Sequence, residues 1–222
     1  MRSAPGHRTH PLTALLVAVA ISAAGASGCG YFHPARPENP SNGEVIVPDQ
    51  TSPDGTLSTI QAAVEAKGLK GGDAAYRACF ADSTAPTTPA FHAFFAPENA
   101  ASWISGGRQL PNDWTLKNEA TFYNVGPLSL VNLRPEIYQM DWEPVDNDPD
   151  IFGTNVATLH RHYSIVAVGQ NGDVAGTVAK GYADITLVVS STGAWVIVLW
   201  DDKVDDDPTL TMGQKRLESQ TQ

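Results

Sequence analysis

Apolar positions follow three regimes along the chain: a nearly unbroken run from Leu12 to Gly25, a sparse stretch from Gly30 to Ser52, and then regular alternation with polar residues. The first half of the alternating region repeats every three to four residues. Leu57, Ile60 and Val64, with alanines between them, predict an amphipathic helix opening at Ser52-Pro53-Asp54 and stopping at Gly68. Gly71-Gly72-Asp73 predicts a second, with Asp73 as N-cap and Tyr76, Cys79 and Phe80 on one buried stripe. After a break over Thr84 to Pro89 come Phe91, Phe94 and Phe95, then a helix start at Pro97-Glu98-Asn99 that reaches Trp103 and Ile104 and ends at Gly106-Gly107. Asn112-Asp113 reads as the cap of a further helix carrying Trp114, Leu116, Glu119, Phe122 and Tyr123.

Beyond Gly126-Pro127 the period becomes two. Leu128, Leu130 and Ile137 to Trp142 open the strand half, and a polar loop follows from Pro144 to Gly153. Val156 to Val168 and Val174 to Val189 are long β-rich runs joined at Gln170-Asn171-Gly172-Asp173, whose Asn-Gly pair predicts a hairpin turn of the primed type. Ser190 to Gly193 turns the chain into Ala194 to Trp200, a strand apolar on both faces as a covered central strand is, which makes Trp195 and Trp200 core residues. Helices followed by an antiparallel meander predict an α+β fold with N-terminal helices packed on a curved antiparallel sheet.

Arg2, His7, Arg8 and His10 ahead of the apolar run, and small residues after it, make residues 1–28 a secretory signal. About 16 apolar residues fall short of the ~20 that a helix needs to cross a bilayer. Ala26-Ser27-Gly28-Cys29 resembles a bacterial lipobox, departing from it in having Ala26 where Leu is commoner. The resemblance implies cleavage before Cys29 and acylation of its thiol. Gly30, which is not Asp, implies sorting to the periplasmic face of the outer membrane if the cell is Gram-negative. Residues 29–52 contain Pro34, Pro37, Pro40 and Pro48 and read as an extended tether of about 25 Å. The folded domain is expected over 53–207, with a polar C-terminal tail over 208–222.

Charge narrows the partners. Of 14 basic and 24 acidic residues the leader holds only Arg2 and Arg8, so the exported part carries a formal charge of −12. That argues against nucleic acid and against a polybasic membrane face, leaving lipid as the means of membrane attachment. With Cys29 acylated, Cys79 has no disulfide partner and reads as a small buried apolar residue.

Three stretches resemble the NTF2-like (SnoaL-like) superfamily, as it occurs in a group of bacterial lipoproteins. They are Ile60 to Ala63 with Tyr76 to Asp82; Trp114 and Glu119 before Phe122-Tyr123; and Trp195-Val196-Ile197-Val198-Leu199-Trp200-Asp201-Asp202, which matches a Trp-x-Ile-x-x-Trp-x-Asp pattern. The resemblance covers about 150 residues and implies a cone-shaped fold, an envelope location and no established activity. It also implies a pocket, for which Tyr76, Phe80, Phe94, Trp103, Tyr163 and Trp195 are the expected lining. Enzymes of the superfamily use a buried Asp or His as general base, which makes Asp184, His160 and His162 the catalytic candidates here.

Read as residues, those candidates have plainer explanations. His160 and His162 share one face of a strand and Arg161 and Tyr163 the other, and no third metal ligand is evident beside the histidines. Asp184 reads equally as an outward charge paired with Lys180, and His92 as a satisfied histidine at the core edge. Asp146, Asp148 and Asp150 have the opening spacing of a calcium loop but lack its central Gly and closing Glu. No phosphate loop, nucleophile elbow or zincin motif is present, and no cofactor is expected.

The expectation is therefore a lipid-anchored envelope protein that binds a small apolar ligand or a protein partner. The alternatives are an isomerase- or hydratase-like enzyme and a homodimer built on the sheet. Cys29→Ser is expected to move the protein from the membrane to the soluble fraction on cell fractionation; retention in the membrane would refute the anchor.

Overall fold

The computed structural model of the chain describes residues 49–66, 71–82, 88–124, 137–169 and 171–221. Cys29, the leader, the tether as far as residue 48, and Leu128 and Leu130 of the first expected strand lie outside the described residues.

The Ser52 hydroxyl accepts from the Gly55 amide at 3.0 Å, satisfying a donor left free at a helix start, and α1 (Pro53–Glu65) runs from there. It buries Leu57, Ile60, Ala63 and Val64, the stripe that the spacing predicts. α2 (Gly72–Ala78) begins instead at Gly71, whose φ of 94° suits a residue without Cβ, so Asp73 stands inside the first turn and is not the cap. α3 (Pro97–Ser105) follows the Pro97 signal. α4 (Leu116–Asn124) starts later than expected, because the Thr115 amide and hydroxyl both bond Asn118 Oδ1 at 3.1 and 2.8 Å. Trp114 precedes that helix, and its carbonyl accepts from the Ala93 amide at 3.0 Å.

The sheet comprises β1 (His92–Phe94), β2 (Ile137–Pro144), β3 (Ile151–Phe152), β4 (Val156–Val168), β5 (Val174–Val189) and β6 (Trp195–Lys203), in the order β1-β6-β5-β4-β2. β3 pairs with β4 at Ala157 and Thr158, past the end of β2. All pairings are antiparallel except β1 on β6. β1 is invisible to periodicity because three residues are too few to display one. Its position makes β6 an interior strand, as apolar residues on both its faces require. In the β4–β5 turn Gly172 has φ 86°, whereas among the described non-glycine residues only Asn147 has positive φ. Asn171 therefore does not adopt the left-handed conformation that a type I′ turn needs, and the primed turn is not formed; Gln170 lies outside the described residues.

Alternation divides the sheet into two faces. Leu159, Tyr163 and Ile165 of β4 and Ala183, Ile185 and Leu187 of β5 join α1 and α2 in one buried cluster. His160, His162, Ser164, Lys180, Tyr182 and Asp184 occupy the positions between them and face away from the helices.

The stretch from residue 208 is not a polar tail. Pro208–Leu210 forms a 3-10 turn, the Thr211 hydroxyl caps α5 (Met212–Glu218) by accepting from the Gln214 amide at 3.0 Å, and α5 buries Met212, Gly213, Arg216 and Leu217. A seven-residue helix with a charge at the centre of its buried face gives no amphipathic signal.

One polar clamp ties the 145–150 loop to the domain. Asp150 receives Arg161 on both oxygens, at 2.6 and 2.8 Å, and the His160 amide at 3.0 Å, while Arg161 also reaches Asp54 of α1 at 3.0 Å. Burial raises the Asp150 carboxyl, but the hydrogen bonds from Arg161 and His160 outweigh it and hold the group below its ordinary value. An acid whose folded-state value is depressed contributes stability that is complete above its unfolded value, 3.8, and is lost as pH falls below it. Asp150→Ala is expected to cost roughly 2–3 kcal/mol at pH 7, between an exposed pair and a fully buried one. Urea melts should also show that it loses less stability than the parent between neutral pH and pH ~3.

Candidate functional site

Helices over a sheet leave an interior that a ligand can occupy only if the chain does not. Here the chain occupies it. Trp200 and Asp202 point inward from β6, Tyr163 from β4, and α5 is laid against them. Glu119 of α4, with no exposed surface, accepts from Tyr76 Oη (2.7 Å), Trp114 Nε1 (2.6 Å), and Arg216 Nη2 and Nε (2.8 and 2.9 Å). The Arg216 guanidinium also lies 4.7 Å from the centre of the Trp200 ring. Asp202 accepts from Tyr163 Oη and the Gly213 amide, both at 2.6 Å, and Tyr163 Oη in turn accepts from the Met212 amide at 2.8 Å. A Cβ on Gly213 would come within 2.7 Å of Asp202 Oδ2, so only glycine lets α5 sit this deep.

The electrostatics of this interior favour fixed protonation. Burial, reinforced by the Glu119 charge, pushes the Tyr76 phenol well above the usual range; burial and Asp202 do the same to Tyr163. Burial also raises Asp202 against the pull of Arg216. For Arg216, burial opposes the charge but Glu119 outweighs it. Both carboxylates are spent on donors from their own chain, and neither lines the recess beside α2 or the ones at His162 and at Lys117.

The catalytic candidates lie elsewhere. His160 and Asp184 both stand on the outer face of the sheet, so neither is a general base between the sheet and the helices. His160 is 8% exposed; its Nδ1 is 2.7 Å from Asp184 Oδ1 and 3.3 Å from Asp148 Oδ2, and Lys203 pairs with the other oxygen of Asp184. The Asp184 partners are thus His160 and Lys203; Lys180 instead reaches Asp205 at 3.0 Å and Asp206 at 2.8 Å. Burial raises the Asp184 carboxyl, but Lys203 and then His160 bring it below its ordinary value. His160 Nε2 is buried without a hydrogen-bond partner. His162 is looser, with Nδ1 3.9 Å from Asp205 and its ring 5.8 Å from Tyr182. His92 pairs with Asp113 at 2.6 Å at the domain edge. The acidic triplet does not converge as a calcium loop does: Asp150 is taken by Arg161, Asp148 faces His160, and Asp146 is exposed.

The six residues expected to line a pocket do not share one. Tyr76 and Tyr163 belong to the filled interior, and Phe80 packs on Tyr76 and Phe91. Trp103 is buried by its own loop, donating to the Gln109 carbonyl at 3.1 Å beneath Arg108. Phe94 is 56% exposed, and Trp195 is half-buried, with its carbonyl accepting from Thr56 and Gln50. The recess of about 460 Å³ beside α2 and the 190–192 turn takes only Phe80 from the six and is otherwise lined by groups such as Asp73, Arg77 and Asp82. Sequence reading passes over Arg216, placed in an expected tail, and assigns Asp148 to an incomplete calcium loop because it joins His160 only when the loop folds back; Trp114 with Glu119 was legible, and the two are hydrogen-bonded.

No protein-family model matches the chain, and no curated protein matches it. Solved structures are similar to it. An NTF2-like superfamily protein from Salmonella enterica has 11% identity, TM-score 0.42, 68% of this chain and 87% of that one covered. A protein of unknown function from Mycobacterium tuberculosis has 11%, 0.43, 72% and 80%. A protein with a cystatin-like fold from Nostoc punctiforme has 11%, 0.41, 74% and 96%. These are likenesses of chain course; the α+β arrangement itself rests on the element order and strand register given above.

Proposed function

We propose that this chain is a lipid-tethered protein of the cell envelope whose domain works without catalysis, by presenting its outside to a protein partner. The observation that carries the reading is the insertion of α5: Arg216, Met212 and Leu217 occupy the interior that an apolar ligand or a substrate would need. Exposed apolar side chains at two separate edges of the sheet support it, while Ile104 of α3 and Val174 of β5 are exposed elsewhere. Ile151 and Phe152 form β3, Val156 adjoins them, and Phe94 lies on β1 at the sheet edge. The tether supplies location and the domain supplies recognition.

Three outcomes are expected. Gentle native mass spectrometry of the Cys29→Ser chain gives the bare protein mass; a reproducible bound organic molecule would restore the ligand-binding cone. A photoreactive residue at Phe152 yields one discrete protein adduct in intact cells while the same residue at exposed Lys117 yields none; adducts at neither or at both would reject the partner reading. Glu119→Leu leaves Arg216 as an unpaired buried charge and is expected to cost about 3–5 kcal/mol, whereas Glu119→Leu with Arg216→Met recovers most of it. Denaturant melts measure both, and equal losses would mean that the pair does not act as a unit.

A further inference from the structure

The outer-face cluster at Asp148, His160 and Asp184 is not used by that function. Its ligand-type atoms, one imidazole nitrogen and one oxygen from each carboxylate, all lie within 4.8 Å of one another. The three come from separate places: β4, β5 and the loop that Asp150 clamps to Arg161. The sheet holds His160 and Asp184 opposite each other in register, so two ligands are fixed before any ion arrives.

Charge is the second observation. Asp201 is the register partner of Asp184 on β6, on the same outer face. Asp148, Asp184 and Asp201 therefore stand against Lys203 alone, while Asp150 is already matched by Arg161. Carboxylates thus outnumber ammonium groups at this spot, an excess that a divalent cation would offset.

We infer that Asp148, His160 and Asp184 bind a first-row divalent transition cation of the zinc class, through His160 Nδ1 and one oxygen of each carboxylate. An imidazole with two carboxylates is a borderline donor set, suited to zinc and its neighbours, whereas calcium would require six to eight oxygens. Bonds of about 2.0–2.1 Å at tetrahedral angles separate ligand atoms by about 3.3 Å. The His160–Asp148 separation of 3.3 Å already meets this, and Asp184 at 2.7 Å must open slightly. Asp148, half-exposed on its loop, has the freedom to complete the closure.

Binding at Nδ1 moves the ring proton to Nε2, which is buried without an acceptor. A metal-bound histidine ordinarily has a partner there, and lacking one costs about 10–100-fold in affinity. Lys203 beside Asp184 opposes the cation as well. The site is therefore weaker than one whose histidine has an outer partner, and is responsive to metal supply.

Isothermal titration of the metal-free full chain in detergent with zinc chloride at neutral pH tests this independently of the partner reading. One saturable site at micromolar zinc is expected, with no heat from calcium. Asp148→Asn, at an exposed position that the fold does not need, should weaken zinc at least tenfold, as should His160→Gln; His92→Gln and His162→Gln should change nothing. Absence of saturable zinc binding would overturn the site, and so would binding that Asp148→Asn and His160→Gln leave intact.

Discussion

The ion pair between Glu119 and Arg216 is the contact on which the rest of the molecule depends. Both side chains are withdrawn from water, a transfer that costs several kcal/mol for each ion unless every lone pair and proton is met. The chain meets nearly all of them with donors from distant places: Tyr76 from α2, Trp114 from the segment before α4, and the face of Trp200 from β6. Such a centre tolerates no partial assembly. If α5 leaves, Glu119 is a buried anion; if α4 shifts, Arg216 is a buried cation. The pair thus couples the C-terminal helix to the helical layer more strictly than apolar packing alone would, since apolar contacts lose energy gradually and an uncompensated charge loses it at once.

The same pair explains what fills the space between the helices and the sheet. Folds of helices on a sheet have space between the layers, and whether that space becomes a pocket depends on what the chain sends into it. Here Met212 and Leu217 supply bulk, Gly213 allows close approach to Asp202, and the Tyr163 hydroxyl joins the start of α5 to β6. Polar groups that could have turned toward a ligand turn toward α5. The outside carries chemistry of two kinds: apolar side chains on β3 and β1, and ionisable side chains in the middle of β4, β5 and β6.

That division follows from strand geometry. Adjacent residues of β4 point to opposite faces, so Arg161 serves the clamp to α1 while His160 and His162 serve the outer surface. Antiparallel register then sets His160 opposite Asp184, and Asp184 opposite Asp201. The 145–150 loop divides its acids by the same rule, Asp150 going to Arg161 and Asp148 to His160. A spacing that looked like one calcium loop is two separate electrostatic tasks.

Periodicity in the sequence determined the α+β class, the starts of α1 and α3, the three long strands and the burial of the Trp200 strand, because each depends on local repeats or start signals strong enough to exceed noise. It also determined that His160 and His162 share a face, since alternation needs no partner. Tertiary structure alone decided which face that is, because strands apolar on both sides do not declare an inside until something packs on them. It decided that three residues around Ala93 form a strand, through the free edge of β6, and that residues after 208 form part of the core, through an ion pair formed across 97 positions of chain. Arg216 carries no local mark of burial: a charge enters the core only when a partner is waiting there, and the partner is Glu119.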